Sequence, residues 1–412
     1  MIKISIPNNN ILERKYIIEI VFNEFLGLSY QIFTGSKEYE FTLLNKKKLV
    51  IKDTFFNKYP EDLTYLKREN IPENIYELDV FALTFFMLTR WEEYVNPVRD
   101  EHNRFPATAS LAFKQGFLDR PIVDEELEKF KQKLFALDPS LQFKMKPFTL
   151  VLTHDVDEVR FWKSKKQLIH IVIGDLFKRK NILLALNRLK EYYFVSKNKI
   201  KDPFDTFDWL MDKSESIGLK SRFYFISGGT SDYDNRYDIK QQTQLIQHIK
   251  RRGHIVGIHP SYNAYNDFEQ FKKEKELLEE VCECEVEEGR EHYLRFEVPT
   301  TWQVWEDNGM KVDSTCGYAD KVGFRCGTGN EFSVFNILTR KKLKLKERPL
   351  ILMDCTLFTY NNLNYIEALK KLEMLKNRTN MLTLLWHNSY IAHIKFYGEL
   401  FEKSSINSFK QL

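Results

Sequence analysis

FTLVLTHDVDEVR, residues 148–160, joins an apolar run directly to a cluster of acids and a histidine. Phe148–Leu152 is apolar or β-branched throughout, with Thr153 behind it. An apolar run that short, followed by a polar cluster, reads as a buried strand ending at a site. At its end stand His154, Asp155 and Asp157. Alternate side chains of a strand share a face, so Asp155 and Asp157 point one way and His154 the other. Neighbouring carboxylates repel unless a cation sits between them or one keeps a proton. An Asp-rich turn would also place acids here, because Asp hydrogen-bonds locally in turns. The stretch alone leaves both readings open.

Outward from it, strand and helix patterns alternate. Apolar runs predict strands at 148–154, 221–227, 255–259, 293–297, 350–354 and 381–387, with helices at 206–217, 239–252, 267–282, 300–308 and 364–376. Gly253 and Gly309 stand where helix C-cap glycines belong. This alternation argues for a parallel sheet or barrel with helices outside. Active sites of such folds lie at the carboxyl ends of the strands. Those ends carry His154, Asp155 and Asp157, Ser227-Gly228-Gly229, His259, Arg295 and Glu297, Asp354, and His387. So many proton-transferring and metal-ligating groups at strand ends point to an enzyme. No glycine-rich dinucleotide fingerprint or P-loop follows any strand.

Residues 160–201 interrupt the alternation. They hold twelve Lys or Arg against two acids, Asp175 and Glu191, with apolar residues at helical spacing in 182–189 and 192–194. One reading is a basic amphipathic flap that meets anionic lipid or phosphate. The plainer one is a pair of helices with a solvated lysine face.

Before residue 145 the pattern is mixed. Ile2–Ile6 and Leu49–Ile51 read as strands, and 12–28 alternates between helical and extended signals. Tyr76–Val95 carries the strongest helical period, 104–117 is irregular, and 124–137 is an amphipathic helix. Pro139 and lost periodicity place a boundary near 145. The expected domains are thus an α+β unit at 1–145 and an α/β unit at 146–412 with a basic insertion at 160–201.

The 412 residues, 43% hydrophobic and 29% charged, suit a globular protein with ample core. A net charge of +4 gives no argument for nucleic acid. Five cysteines without zinc-finger spacing, and no signal-peptide pattern or apolar membrane span, lead us to expect the cytoplasm, with peripheral contact to the inner membrane face as a variant.

THDVD at 153–157, RRGHIVGIHP at 251–260, RFEVP at 295–299 and LLWHN at 384–388 occur in that order. Together they resemble the polysaccharide deacetylase family, the NodB-homology carbohydrate esterases, in the branch whose first motif reads HDVD. The likeness covers about residues 148–390. FFMLTRWEEY and NRFP upstream are similar to the uncharacterised domain that often precedes that branch. The resemblance implies a distorted (β/α) barrel of about seven strands. It also implies a divalent metal, zinc first with cobalt or nickel as alternatives, and hydrolysis of acetyl from an N- or O-acetylated sugar of a polysaccharide or glycan precursor. Carried over, Asp155 resembles the base, Asp157 and His259 metal ligands, Arg295 the arginine that holds the base, His387 the general acid, and Asp354 the carboxylate that tunes it. Trp302 and Tyr262 are candidates for stacking on a sugar face.

One position departs from the family pattern. Asn263 stands where the second histidine of the metal pair belongs. An amide oxygen is a poorer ligand than imidazole for a borderline cation. His292 and His154 are the substitutes, though His154 should face away from the acids. The departure also admits a catalytically weak or inactive glycan-binding or scaffold protein.

Overall fold

The computed structural model describes residues 1–234 and 236–401. A four-stranded sheet comes first, from β1 (Ile2–Ile6), β2 (Tyr30–Thr34), β3 (Tyr39–Thr42) and β4 (Lys48–Ile51), in the order β2-β1-β3-β4. The ambiguous stretch after β1 is helical: Ile11–Glu19 is α-helix and Ile20–Phe25 continues it in wider π turns.

The expected long helix at 76–95 is divided. Asp79 caps Val80–Thr89 by accepting from the Phe81 and Ala82 amides, and Arg90, at φ 52, ends that helix before Trp91–Val95 begins. The break turns Arg90 inward against Glu93, 2.8 Å away, in a buried pair that Arg325 completes at 2.5 Å. Residues from both halves of the chain join one continuous core. Tyr16 stacks near Phe335, and its hydroxyl donates to Ser333 O at 2.9 Å.

The second sheet holds nine strands: β5 (Thr149–Val156), β6 (Arg222–Phe225), β7 (Ile255–Ile258), β8 (Glu288–Gly289), β9 (Val312–Asp313), β10 (Phe332–Asn336), β11 (Lys341–Glu347), β12 (Leu352–Met353) and β13 (Met381–Leu385). Their order is β10-β11-β9-β8-β7-β6-β5-β13-β12, parallel throughout except for the β10–β11 hairpin. Helices Phe207–Ser216, Thr243–Arg251, Phe268–Cys282, Thr300–Asp307 and Tyr365–Lys376 fill the crossovers. β5 and β13 are buried on both faces, which is why their sequences are continuous apolar runs. β11, KKLKLKE, instead buries every second residue and so hides its strand signal among lysines.

Among the described residues no ladder joins the two end strands, β10 and β12. Leu350 N does donate to Cys316 O at 3.1 Å, so the segment before β12 touches the segment after β9. The strand expected at 293–297 is absent. The ladder partner of β7 is β8, and at their contact a Cβ on Gly257 would lie 2.3 Å from Glu288 O and one on Gly289 2.0 Å from Ile258 O. Beyond Gly289 the chain leaves the sheet through a short turn, His292–Leu294, with Tyr293 at φ 60 and Leu294 at φ 55. Leu294, Phe296 and Val298 are buried, so their apolar signal came from packing rather than from a ladder.

Candidate active site

The carboxyl ends of β5, β7, β8, β12 and β13 converge on one cleft of about 310 Å³. β5 delivers Asp155 and Asp157 to its floor, while His154 turns to the opposite face. There His154 is fully buried, with Nδ1 2.7 Å from Trp386 O and Nε2 3.1 Å from Ser221 Oγ. The period-two reading of β5 therefore holds, and His154 is not part of the cleft.

Asp157, His259 and His292 bring one carboxylate oxygen and two imidazole nitrogens within 4.8 Å of one another. Asp157 Oδ1 lies 3.4 Å from His259 Nε2 and 3.6 Å from His292 Nε2. The ligating nitrogens are set by what holds the other side of each ring. His259 Nδ1 is 2.6 Å from Arg290 O, which fixes the Nδ1–H tautomer and leaves the Nε2 lone pair facing Asp157. His292 Nδ1 faces Asp234 at 3.4 Å, and Asp234 is itself anchored by the Tyr262 amide at 2.8 Å and by Ser231. Burial alone would raise the Asp157 carboxyl, but the contact with His259 and the nearby His292 and His387 imidazoles hold it well below the usual carboxylate range. Burial lowers His292 and so favours its neutral, ligating form.

These residues fit a divalent ion. Asp157 Oδ1 and His292 Nε2 are buried polar atoms without a hydrogen-bond partner, and both point into the cluster. Orphaned buried polar atoms are rare in folded proteins, and a cation would satisfy both. Two imidazoles and one carboxylate form a common zinc donor set.

On one side of the cluster stands Asp155. Its Oδ1 accepts from Arg290 Nη1 at 2.8 Å, and its Oδ2 is 3.9 Å from His259 Nε2. Arg290 is fully buried and also bonds Thr153 Oγ1 and Ser314 O, so its position is over-determined. His387 lines the same cleft; its Nδ1 is 2.8 Å from Asp354 Oδ1, and Asp354 Oδ2 accepts the His387 amide at 2.6 Å. Burial disfavours the His387 imidazolium, but the Asp354 carboxylate overrides it and pushes the imidazole well above its ordinary value. With Nδ1 so engaged, Nε2 is the atom left to the cleft.

Four sequence-predicted residues lie elsewhere. Arg295 does not reach Asp155; it donates to His102 O and the Tyr262 carbonyl, and at 3.0 Å to Asn263 Oδ1. Asn263 is thereby turned toward Arg295 and does not line the cleft. Trp302 is fully buried on its helix, with Nε1 donating to Glu347 at 3.0 Å. Tyr262 stacks on Tyr233 at 4.4 Å, beneath the Arg295 guanidinium at 4.0 Å, and does not line the cleft.

The cleft also holds residues the sequence reading passed over: Arg104, Arg236, Glu291 and Tyr293. Arg104 comes from the irregular segment before 145 and reaches the wall by donating to Tyr293 O at 3.0 Å. Arg236 lies 3.4 Å from Asp157 Oδ2. Glu291 accepts from Trp305 Nε1 at 2.7 Å, and burial raises its carboxyl well above the usual range. Arg290, which holds Asp155, left no usable signal either, because the strand before it is only Glu288–Gly289.

Residues 2–139 match a family of unknown function, DUF7033. No curated protein is similar to the chain in sequence. Among solved structures, a polysaccharide deacetylase from Bacillus cereus superposes with a TM-score of 0.30 at 12% identity, over 62% of this chain and 89% of its own. A CE4 family pseudoenzyme from Bacillus anthracis gives 0.30 at 11% identity, over 64% of this chain and 61% of its own. A mutant of that pseudoenzyme with restored enzymatic activity gives 0.24 at 11% identity. Likeness this distant assigns no role to individual residues, so the reading of the site rests on its own side chains.

Proposed function

We propose that the chain is a metal-dependent hydrolase that removes an acetyl group from an N- or O-acetylated sugar of a polysaccharide or glycan precursor. One observation carries the reading. A cluster of Asp157, His259 and His292 shares one cleft with a carboxylate held by an arginine and an imidazole held by a carboxylate.

Asp157, His259 and His292 would hold the metal. Zinc suits this donor set best, with cobalt and nickel also accommodated by imidazole and carboxylate. A divalent ion bound there supplies a Lewis acid for the acetyl carbonyl and for water. The remaining steps fall to the chain's own groups. Asp155 keeps Oδ2 free on the cluster side because Arg290 occupies Oδ1, and so accepts the proton of the attacking water. His387 carries its proton against burial because of Asp354, and gives it to the departing nitrogen or oxygen. An amine leaves poorly without that proton, so His387 matters most for N-acetyl substrates. Arg290 and Asp354 act through Asp155 and His387 and are positioning residues.

The test is acetate release from a panel of N- and O-acetylated saccharides by zinc-loaded protein. Release that chelation abolishes and zinc restores is expected. No release from any member, with one ion per chain bound, would leave a metal-binding but inactive cleft and defeat the proposal.

A further inference from the structure

The basic segment after β5 folds into a hairpin of two helices, Lys165–Ile173, continued to Lys178 in π turns, and Ile182–Ser196, packed on each other. Its root is tightly held. Asp202 accepts the Phe161 and Trp162 amides at 2.8 and 3.0 Å, and Trp162 Nε1 donates to Glu191 at 2.9 Å. Beyond the root no residue of 163–200 joins the main core.

Two apolar stripes are left bare. Ile169, Ile173 and Phe177 follow one another at four-residue spacing on the first arm. Leu183, Leu186, Leu189 and Tyr193 do so at three- and four-residue spacing on the second. Phe177 and Leu183, flanking the turn, are 77% and 74% exposed. Stripes at helical spacing normally face a core, and here they face outward.

The charges around them select the partner. Both acids of the hairpin are consumed within it: Asp175 is buried against Arg179, and Glu191 is bonded to Trp162 with Arg188 beside it. Lys165, Lys166, Lys178 and Lys180 are exposed and have no ion pair among the described residues. A second copy of the hairpin would bring the same cations face to face, which disfavours a symmetric dimer through this surface. A solvated lysine face explains the cations but not the bare stripes. An apolar surface rimmed by unpaired cations suits the headgroup region of an anionic bilayer.

We propose that residues 163–200 are a membrane-docking hairpin that inserts its apolar stripes into an anionic lipid surface. The hairpin leaves the strand end that carries Asp157: Lys163 Nζ is 3.2 Å from Glu158, and Arg236 bridges Glu158 and Asp157. An arm of helix this size is about 20 Å long. Docking therefore holds the cleft within roughly one arm's length of the bilayer.

The test is co-sedimentation of the full chain with phosphatidylcholine vesicles, with and without phosphatidylglycerol, at low and raised salt. Binding to the anionic vesicles, weakened by salt, is expected. Two exposed cations near a bilayer surface are worth about 1 kcal/mol each, so Lys178→Gln with Lys180→Gln should weaken binding roughly thirtyfold. Phe177→Ser with Leu183→Ser should weaken it about tenfold or more while leaving the melting temperature and metal content unchanged. No sedimentation with anionic vesicles at low salt would overturn the proposal. So would binding that ignores the apolar pair, which reduces the surface to a charged patch. Self-association that the apolar pair abolishes, without vesicle binding, would assign the stripes to a second copy instead.

Discussion

Replacing His292 by Gln decides which residue supplies the third metal donor. His292 Nε2 is unpartnered and lies 3.6 Å from Asp157 Oδ1, whereas Asn263 Oδ1 already accepts from Arg295 at 3.0 Å. Four-ligand zinc sites release about 10–16 kcal/mol on binding, so a single ligand is worth on the order of 3 kcal/mol. His292→Gln should therefore weaken zinc roughly a hundredfold. Asn263→Ala removes no donor and should leave affinity within about threefold. Asp234→Asn lies between them, because it leaves the donor but loosens the group facing His292 Nδ1; a loss of about tenfold to a hundredfold is expected. Competition against a chromophoric chelator reads all three affinities, and the cobalt spectrum reports the change in coordination. If Asn263→Ala loses metal and His292→Gln keeps it, the cluster has been read wrongly and the loop at 263 must turn toward Asp157.

Arg290→Gln should strip Asp155 of its cation, lowering stability by about 3–5 kcal/mol in denaturant unfolding together with acetate release; Arg295→Gln should leave the kcat of acetate release far less affected. Asp354→Asn should move the alkaline limb of the kcat–pH profile to lower pH. His387 donates a proton and is held above its ordinary value, against burial, by Asp354; activity therefore falls as pH rises through that raised value, and an unmoved limb would show that another group is the acid. The stability from the same pair should be fully present below the ordinary histidine value and vanish as pH rises through the raised one. Glu93→Gln should leave Arg325 and Arg90 buried beside a neutral amide and cost about 3–5 kcal/mol in the same unfolding assay, because this cluster ties the helices before residue 95 to the loop around 325.

The parallel sheet and the position of Asp155, Asp157 and His259 at its strand ends were legible because β5, β6, β7 and β13 are buried on both faces and read as unbroken apolar runs. The arginine beside Asp155 was not. β8 is only Glu288–Gly289, too short to leave a pattern, and the apolar run that follows belongs to a turn, so the strand end was placed beyond Arg290 and Arg295 took its role. His292 was legible only as one of two substitutes, since its place beside Asp157 depends on the left-handed backbone at Tyr293 and Leu294, conformations rarely adopted by side-chain-bearing residues. Trp302 shows a limit of composition: a tryptophan after a strand end reads as a sugar platform, yet a helix buries it against Glu347. β10 and β11 leave little sequence signal, because the alternating lysines of β11 look like a solvated loop until one face is covered. Arg104 lies far from the cleft in sequence, and only the packing of the first 145 residues on the second sheet brings it to the wall.

Measuring bound zinc and acetate release together on Asp155→Asn and Asp157→Asn separates the metal ligand from the base in the cleft. Asp155 touches Arg290 and Asp157 touches the two histidines, so the two carboxylates should separate cleanly. Asp155→Asn should keep its zinc and lose about two to four orders of magnitude in acetate release. Asp157→Asn should lose both. Zinc lost from Asp155→Asn and kept by Asp157→Asn would exchange the two roles, and zinc and acetate release unchanged in both would place the chemistry outside this cleft.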